Sequence, residues 1–440
     1  MSVLLPLTPC LGPVTGTVRT PGSKSITNRA LVCAALSRGT STLTGVLDSQ
    51  DTRVMAAGLT ALGIAIEPDW PADRIVVHGS GGRIPATAAT LDCAASGTTM
   101  RFLAAVCGIG SGSYRLDGTA RMRKRPIGDL LAALRRLGVE ATAESPGECP
   151  PVVIRSTGLA GGATVVDGGT SSQFASGLAM AGPCMPRGLD LEFAGTLVST
   201  PYLEMTRRVM EAFGATCTVT GPRSWRIEPG GYAARRYAIE PDASAASYFL
   251  AAAALTGGAV TVAGLGPDGL QGDVAFADAL GRMGCRVTHD AAGVTVAGRA
   301  TRGIDIDMNA ISDTVPTLAV VALFADGPTT IRNVAHVRDK ETDRIGDLVR
   351  ELARLGADVS EHADGLTIRP RPLHGAVVET YDDHRMAMSL ALAGLTTAGV
   401  VIADPGCVAK TFPGYWRALA RLARLDTAAW PEVATATPGE

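Results

Sequence analysis

The sequence predicts an α/β (α+β) protein of two similar domains, each made of three repeat units packed around buried helices. Two phased series of glycines and the length of the chain carry that reading. In the first series an amphipathic segment ends in glycine before a short apolar stretch, five times over: LTALGIAI, LRRLGVEA, MEAFGATC, LGRMGCRV and LARLGADV. The glycines are Gly63, Gly138, Gly214, Gly284 and Gly356, spaced by 75, 76, 70 and 72 residues. In the second series, Ala-rich segments end at Gly39, Gly112, Gly188, Gly258, Gly327 and Gly399, spaced by 73, 76, 70, 69 and 72. With 440 residues the chain exceeds what one hydrophobic core serves. Units of about 70 residues are too long for solenoid repeats of roughly 20–45, so three are expected to pack into each domain.

Each glycine of the first series falls where a helix C-terminus calls for a left-handed residue, a conformation glycine adopts without a Cβ penalty. A sixth helix, 415–425, repeats the pattern without its glycine. The Ala-rich segments are apolar on most sides, which predicts buried helices. An alternating, strand-like stretch follows each of them: TSTLTGV, SYRLDG, LDLEFAG, AVTVAGL, TTIRNV and VVIAD.

Charge and composition exclude several functions. Lys and Arg number 40 against 42 Asp and Glu, net −2, which argues against a nucleic-acid binder acting through a bulk positive field. The apolar run at 248–255 has eight residues, far from the eighteen of a membrane span. The start, MSVLLPLTPC, lacks the basic segment of a signal peptide. Nine scattered cysteines without C-x-x-C predict reduced thiols and a cytoplasmic protein, with neither disulfide framework nor zinc site. The six histidines have no ligand spacing, so no metal is expected.

The starts of the Ala-rich helices read PGSKSITNR, ASGTTMR, GTSSQF, DASAAS, SDTV and DDHRM. Ser, Thr, Asp and Gly there are ordinary caps. Capping does not explain Lys24, Arg29, Arg101 and Arg385, which oppose the helix dipole; an anion between cation and helix end does. A second loop set adds RMRKRPIGD (121–129), RDKETDR (338–344) and VAKTFPGY (408–415). Alone, the run Arg121, Arg123, Lys124, Arg125 reads as a solvated face; its place at an equivalent point of the repeat points to function. PGSKS is not a phosphate-binding P-loop, since Val18 and Ser23 stand where glycines are required. GLGPDG (264–269) matches a dinucleotide fingerprint, with Asp290 downstream, but the other repeats fill that loop without glycines and Pro267 removes a donor.

PGSKSITNRAL, ARMRKRPIGDLL, SSQF, VSTPYLEMT, DASAASYFLAAA, RDKETDRI, YDDHRMAM and AKTFPGY together resemble, in order and spacing, the EPSP synthase (3-phosphoshikimate 1-carboxyvinyltransferase) family of enolpyruvyl transferases. The resemblance runs from about residue 14 to 425. It implies two domains, each of three βαββαβ units: 22–240, and 1–21 plus 241–440, with the active site in the cleft between them. It implies transfer of the enolpyruvyl group of phosphoenolpyruvate to the 5-hydroxyl of 3-phosphoshikimate, without cofactor, by a monomer with no nucleic-acid or membrane partner.

By the same resemblance, 3-phosphoshikimate is held by Lys24, Ser25, Arg29, Ser171, Ser172, Gln173, Ser199, Asp313, His336 and Lys340. Phosphoenolpyruvate is held by Lys24, Gly97, Arg125, Gln173, Arg344, Arg385 and Lys410. Asp313, Glu341 and Lys24 are the implied catalytic residues, the two carboxylates serving as acid and base. Helical spacing would put Lys340 and Arg344 on one face with Glu341 to one side. The chain departs from the family at His336, where many relatives carry Asn, and at Ala95-Ser96, where Asn-Ala is commoner. The related enzymes that act on UDP-N-acetylglucosamine usually carry Cys where Ala120 stands and GSKN in place of GSKS. A nicotinamide oxidoreductase would rest on GLGPDG alone, and a binding scaffold on the periodicity alone.

Overall fold

The computed structural model describes residues 3–435. The chain forms two compact units: Gly22–Ile239, and the residues up to Pro21 together with those from Glu240 onward. Buried and amphipathic helices alternate through both. The first unit carries α1 (Lys24–Leu36), α2 (Gln50–Ala61), α3 (Gly97–Gly108), α4 (Gly128–Arg136), α5 (Ser172–Ala181) and α6 (Thr200–Ala212). The second carries α7 (Ala243–Thr256), α8 (Phe276–Arg282), α9 (Val315–Ala322), α10 (Gly346–Arg354), α11 (His384–Leu390) and α12 (Tyr415–Ala423), then a short α13 (Glu432–Thr435). The Ala-rich helices are the odd-numbered ones up to α11, and every residue of α3, α9 and α11 is buried.

The segment 88–157 serves as the pattern. Strand Ala88–Asp92 leads through α3 to Ser111–Asp117, then through α4 to Glu140–Ser145, and a tight turn returns the chain as Cys149–Thr157. The first two strands are parallel, and the last lies antiparallel between the second and third. A parallel neighbour cannot be reached by a tight turn, so each helix spans a crossover while the final pair forms a hairpin. The unit has the four strands and two helices of βαββαβ, but one strand separates its helices, giving strand–helix–strand–helix–strand–strand.

Residues before Pro21 belong with the distant half because they complete its sheets. Thr15–Val18 pairs in parallel with Ala259–Ala263, and Leu4–Pro6 pairs antiparallel with Val401–Ala403. In the other unit, Tyr232–Ala233 and Arg236–Ala238 close in parallel onto Ser37–Thr44.

The first glycine series is left-handed throughout, with φ of +89°, +94°, +86°, +114° and +96° from Gly63 to Gly356. At the sixth position Arg424 takes the same conformation at φ +54°. The second series differs from expectation, because these glycines lie beyond the helices rather than at their last residue; α7, for instance, is capped by Gly257. At two of them the reason is space for a neighbouring backbone: a Cβ on Gly112 would stand 2.2 Å from the Thr87 carbonyl oxygen, and one on Gly258 would stand 1.8 Å from that of Val14. The GLGPDG loop is followed by a 3-10 turn only from Gly272 and by α8 from Phe276, so no helix N-terminus opens on it.

Gly258→Ala is expected to cost about 3 kcal/mol or more, since the methyl strikes main chain that cannot yield without unpairing Thr15–Val18. Urea unfolding measures the loss, and amide exchange should show faster exchange in that strand; unchanged stability would remove the close approach from the account.

Candidate functional site

In the first unit the buried helices run side by side with their N-termini together. Gln173 Nε2, in the first turn of α5, donates to Thr98 Oγ1 in the first turn of α3 (3.2 Å). One turn on, Gly177 lies against the Arg101 carbonyl, where a Cβ would come within 3.0 Å. Arg29 ties in α1. Its guanidinium donates to Ser176 Oγ (3.3 Å), Thr206 Oγ1 (2.7 Å) and the carbonyls of Ser25 (3.0 Å) and Tyr202 (3.2 Å), and it lies over the Phe102 ring. Burial lowers its pKa to about 10. Four of its five N–H groups are thus used within the protein, and one Nη1 hydrogen is left over.

Lys24 opens α1 and pairs with Asp51 at 3.4 Å, and Asp51 is itself buried. Ser96 caps α3 through Thr99 N, and Ser171 caps α5 through Gln173 N. Ser172 is buried, and Ser199 takes a left-handed φ of +53° just ahead of α6. Gly97, the first residue of α3, has the guanidiniums of Arg101 and Arg125 where a side chain would be: its Cβ would lie 2.6 Å from Arg101 Nη1 and 2.8 Å from Arg125 Nη2. Its lack of a side chain is what seats Arg125 on the helix end.

In the second unit a charge cluster gathers around Arg344, which is 1% exposed. Its Nε and Nη2 donate to the two oxygens of Asp383 (2.7 and 3.1 Å), Nη1 to Asp313 Oδ1 (3.3 Å) and Nη2 to Glu341 Oε2 (2.8 Å). Arg385 Nη2 donates to the other Asp313 oxygen (2.7 Å), and Lys340 Nζ stands 3.9 Å from Asp313. Lys410 Nζ donates to the second oxygen of Glu341 (2.7 Å). Asp313 and Glu341 are therefore linked through one guanidinium, and each is flanked by further cations. Desolvation lowers the Arg344 pKa while Asp383, Glu341 and Asp313 together raise it further, so it stays charged. His336 is buried beside them. Desolvation, reinforced by Lys340 and opposed by Asp313, brings its pKa down to about 4.

The helical placement of Lys340 and Arg344 is corrected here. Residues Ala335–Asp339 form a 3-10 turn, Lys340 is extended, and α10 starts only at Gly346. Asp343 stops the helix from starting sooner, because its carboxylate accepts from the backbone N–H of Ile345 and Gly346 (both 3.1 Å). Glu341 does not point aside; it sits between Arg344 and Lys410. The expectation of anions opposite the misplaced cations also changes, since protein carboxylates take part of that place: Asp51 on Lys24 and Asp313 on Arg385. Sequence reasoning missed Asp51, Asp383 and Tyr202. Asp383 was visible only as a cap of α11, which it also is through Arg385 N (2.8 Å).

A family model described as EPSP synthase (3-phosphoshikimate 1-carboxyvinyltransferase) matches residues 10–419. The chain belongs to that family. It is 47% identical to the 3-phosphoshikimate 1-carboxyvinyltransferase of Trichormus variabilis, over 92% of this chain and 95% of that one. It is 43% identical to the chloroplastic 3-phosphoshikimate 1-carboxyvinyltransferase of Arabidopsis thaliana, over 93% of this chain and 83% of the relative. The solved EPSP synthase of Acinetobacter baumannii superposes with a TM-score of 0.78 at 26% identity, covering 96% of this chain and 98% of that one. Among the described residues no helix is long and apolar enough to cross a membrane.

Within this EPSP synthase family chain, His336 makes a pH-dependent contribution whose sign follows from its depressed pKa. Between about pH 6.5 and 4 the unfolded chain takes up a proton that the folded one refuses, so stability falls as pH falls through that window. His336→Asn should flatten this fall, by an amount of order 3 kcal/mol at pH 4 relative to neutral pH. Unfolding midpoints across the window measure it; parallel curves for the two proteins would contradict the buried neutral imidazole.

Proposed function

We infer that this chain transfers the enolpyruvyl group of phosphoenolpyruvate to the 5-hydroxyl of 3-phosphoshikimate, giving 5-enolpyruvylshikimate 3-phosphate and phosphate. Family membership over residues 10–419 carries the reading, and the Asp313–Arg344–Glu341 link supports it chemically. The reaction needs a proton delivered to the methylene carbon, a base for the attacking hydroxyl, and removal of a proton on elimination. Two carboxylates joined through one guanidinium and flanked by Arg385, Lys340 and Lys410 suit that work, since each is held in place by two or more cations.

The substrates together carry roughly five to six negative charges. Seven assigned cations face them: Lys24, Arg29, Arg125, Lys340, Arg344, Arg385 and Lys410. The internal pairings with Asp51, Asp313, Glu341 and Asp383 reduce that excess. The N-terminal ends of the buried helices add to it, each worth about half a positive charge.

In this reading Ser25, Ser171, Ser172, Gln173 and Ser199 join Lys24, Arg29, Asp313, His336 and Lys340 around 3-phosphoshikimate. Gly97, Arg125, Gln173, Arg344, Arg385, Lys410 and Lys24 take phosphoenolpyruvate. The reading also takes the enzyme as a cytoplasmic monomer with small-molecule substrates and no cofactor, nucleic acid or membrane partner.

The deciding experiment is phosphate release from phosphoenolpyruvate. Release should require 3-phosphoshikimate and should not occur with UDP-N-acetylglucosamine; the reverse pattern would overturn the assignment. Two variants probe the site. Asp313→Asn should lower kcat by about 10²-fold or more, as loss of acid–base catalysis does, with little change in 3-phosphoshikimate affinity. Turnover within a few-fold of wild type would reduce Asp313 to a structural ion pair. Gly97→Ala should push the Arg125 guanidinium off the start of α3, raising the KM for phosphoenolpyruvate about tenfold or more and that for 3-phosphoshikimate little. An equal rise in both, with a lowered Tm, would remove Gly97 from the donor site.

A further inference from the structure

Behind the Asp313–Arg385 pair lies a buried carboxyl that neither motif nor resemblance assigns. Asp273 sits in the 3-10 turn Gly272–Ala275 and is buried. That turn packs on the start of α7 and on the turn Asn309–Thr314 that carries Asp313. Ser244 Oγ, in the first turn of α7, donates to Asp273 Oδ2. One helical turn further along, Tyr248 on α7 meets Arg385, whose Nη1 reaches its hydroxyl at 3.5 Å while Nη2 holds Asp313. One face of α7 thus touches Asp273 at one step and the catalytic ion pair at the next.

We propose that Asp273 is a positioning residue for this enzyme, held by Ser244 behind Asp313 and Arg385, and that its charge sets the proton affinity of Asp313. The inference rests on the enolpyruvyl-transfer reading. Two carboxyls sharing the neighbourhood of one guanidinium repel when both are ionised. An ionised Asp273 makes Asp313 a stronger base, and a protonated Asp273 leaves Arg385 to Asp313 alone and makes it a weaker one. Burial, followed by the repulsion of Asp313, pushes the Asp273 carboxyl up to about 6, while Ser244 and Arg385 pull it back down. The charged and titratable groups on the elements packed around it are Asp242 and Tyr248 of α7 and its cap, Asp313, Arg385, and Asp278 and Arg282 of α8, which are engaged with His289 and with the Asp305 carbonyl. Burial holds Tyr248 neutral, raising its pKa to about 12.

The test is the pH dependence of kcat with both substrates saturating, measured on the full-length enzyme for two variants. Asp273→Asn removes the neighbouring charge, so the acid limb should move to lower pH by half a unit or more. Its plateau should fall several-fold, with both KM values within about twofold of wild type. Ser244→Ala removes the hydrogen bond that favours the Asp273 carboxylate, so more of Asp273 is protonated and its acid limb should move the same way, to lower pH, by a smaller amount. Shifts to lower pH in both variants, the smaller in Ser244→Ala, support the proposal. An unmoved limb in both variants, or a shift to higher pH in either, overturns it; should Asp273→Asn fail to fold, the direction of the Ser244→Ala limb decides alone. Absence of any 3-phosphoshikimate-dependent phosphate release from the wild type would instead be a failure of the underlying assignment.

Discussion

A single buried guanidinium organises the chemistry of this protein. Arg344 and Asp383 are 1% and 0% exposed and share two hydrogen bonds in a forked geometry. Taking both charges out of water costs several kcal/mol each, and only a close, multiply bonded partner offsets it. Asp383 is fixed from the other side because it caps α11, and two successive residues with φ of +55°, Tyr381 and Asp382, lead the chain into that cap. Once Asp383 holds Arg344, the remaining N–H groups of the guanidinium fix Asp313 and Glu341 on either side of it.

The repeated fold makes this arrangement possible. Each unit needs parallel crossovers, and each crossover brings a helix N-terminus to the end of a sheet. In the first unit, first turn meets first turn and second meets second between α3 and α5, and Arg29 joins α1 to them at the second turn. In the second, a ladder of hydroxyls, Ser247 to Thr317 to Ser389 at 3.1 Å each, links α7, α9 and α11 within their first two turns. Bundled N-termini concentrate unpaired N–H groups and positive potential, which favours bound phosphate and carboxylate. Carboxylates such as Asp51 and Asp313 offset the accompanying cations Lys24 and Arg385.

Much of this was legible in the chain. A left-handed glycine after an amphipathic helix is a local demand, so five glycines at near-constant spacing reported five helix ends. Cations at helix starts are an anomaly of the same local kind, and they marked Lys24, Arg101 and Arg385. The element order within a unit was less accessible, because which strand inserts between two others depends on pairing across dozens of residues. The loop 338–344 was misread as helix because Asp343, acting through its side chain on Ile345 and Gly346, postpones the helix by more than a turn. Asp383 looked like an ordinary cap, and its second partner lies 39 residues away in sequence. Asp273 gave no sequence signal, since burial and the repulsion of Asp313, 40 residues away in the chain, make its carboxyl unusual.

The dependence on Arg344 and Asp383 is tested most directly by a double-mutant cycle in unfolding free energy, with Arg344→Gln, Asp383→Asn and the pair. Each single change leaves a buried charge poorly matched and should cost about 3–5 kcal/mol. The double variant should cost about 2–3 kcal/mol less than the sum of the two single losses, which is the coupling between them. Strictly additive losses would mean that the two residues act independently, and the guanidinium would then not be the point from which Asp313 and Glu341 are held.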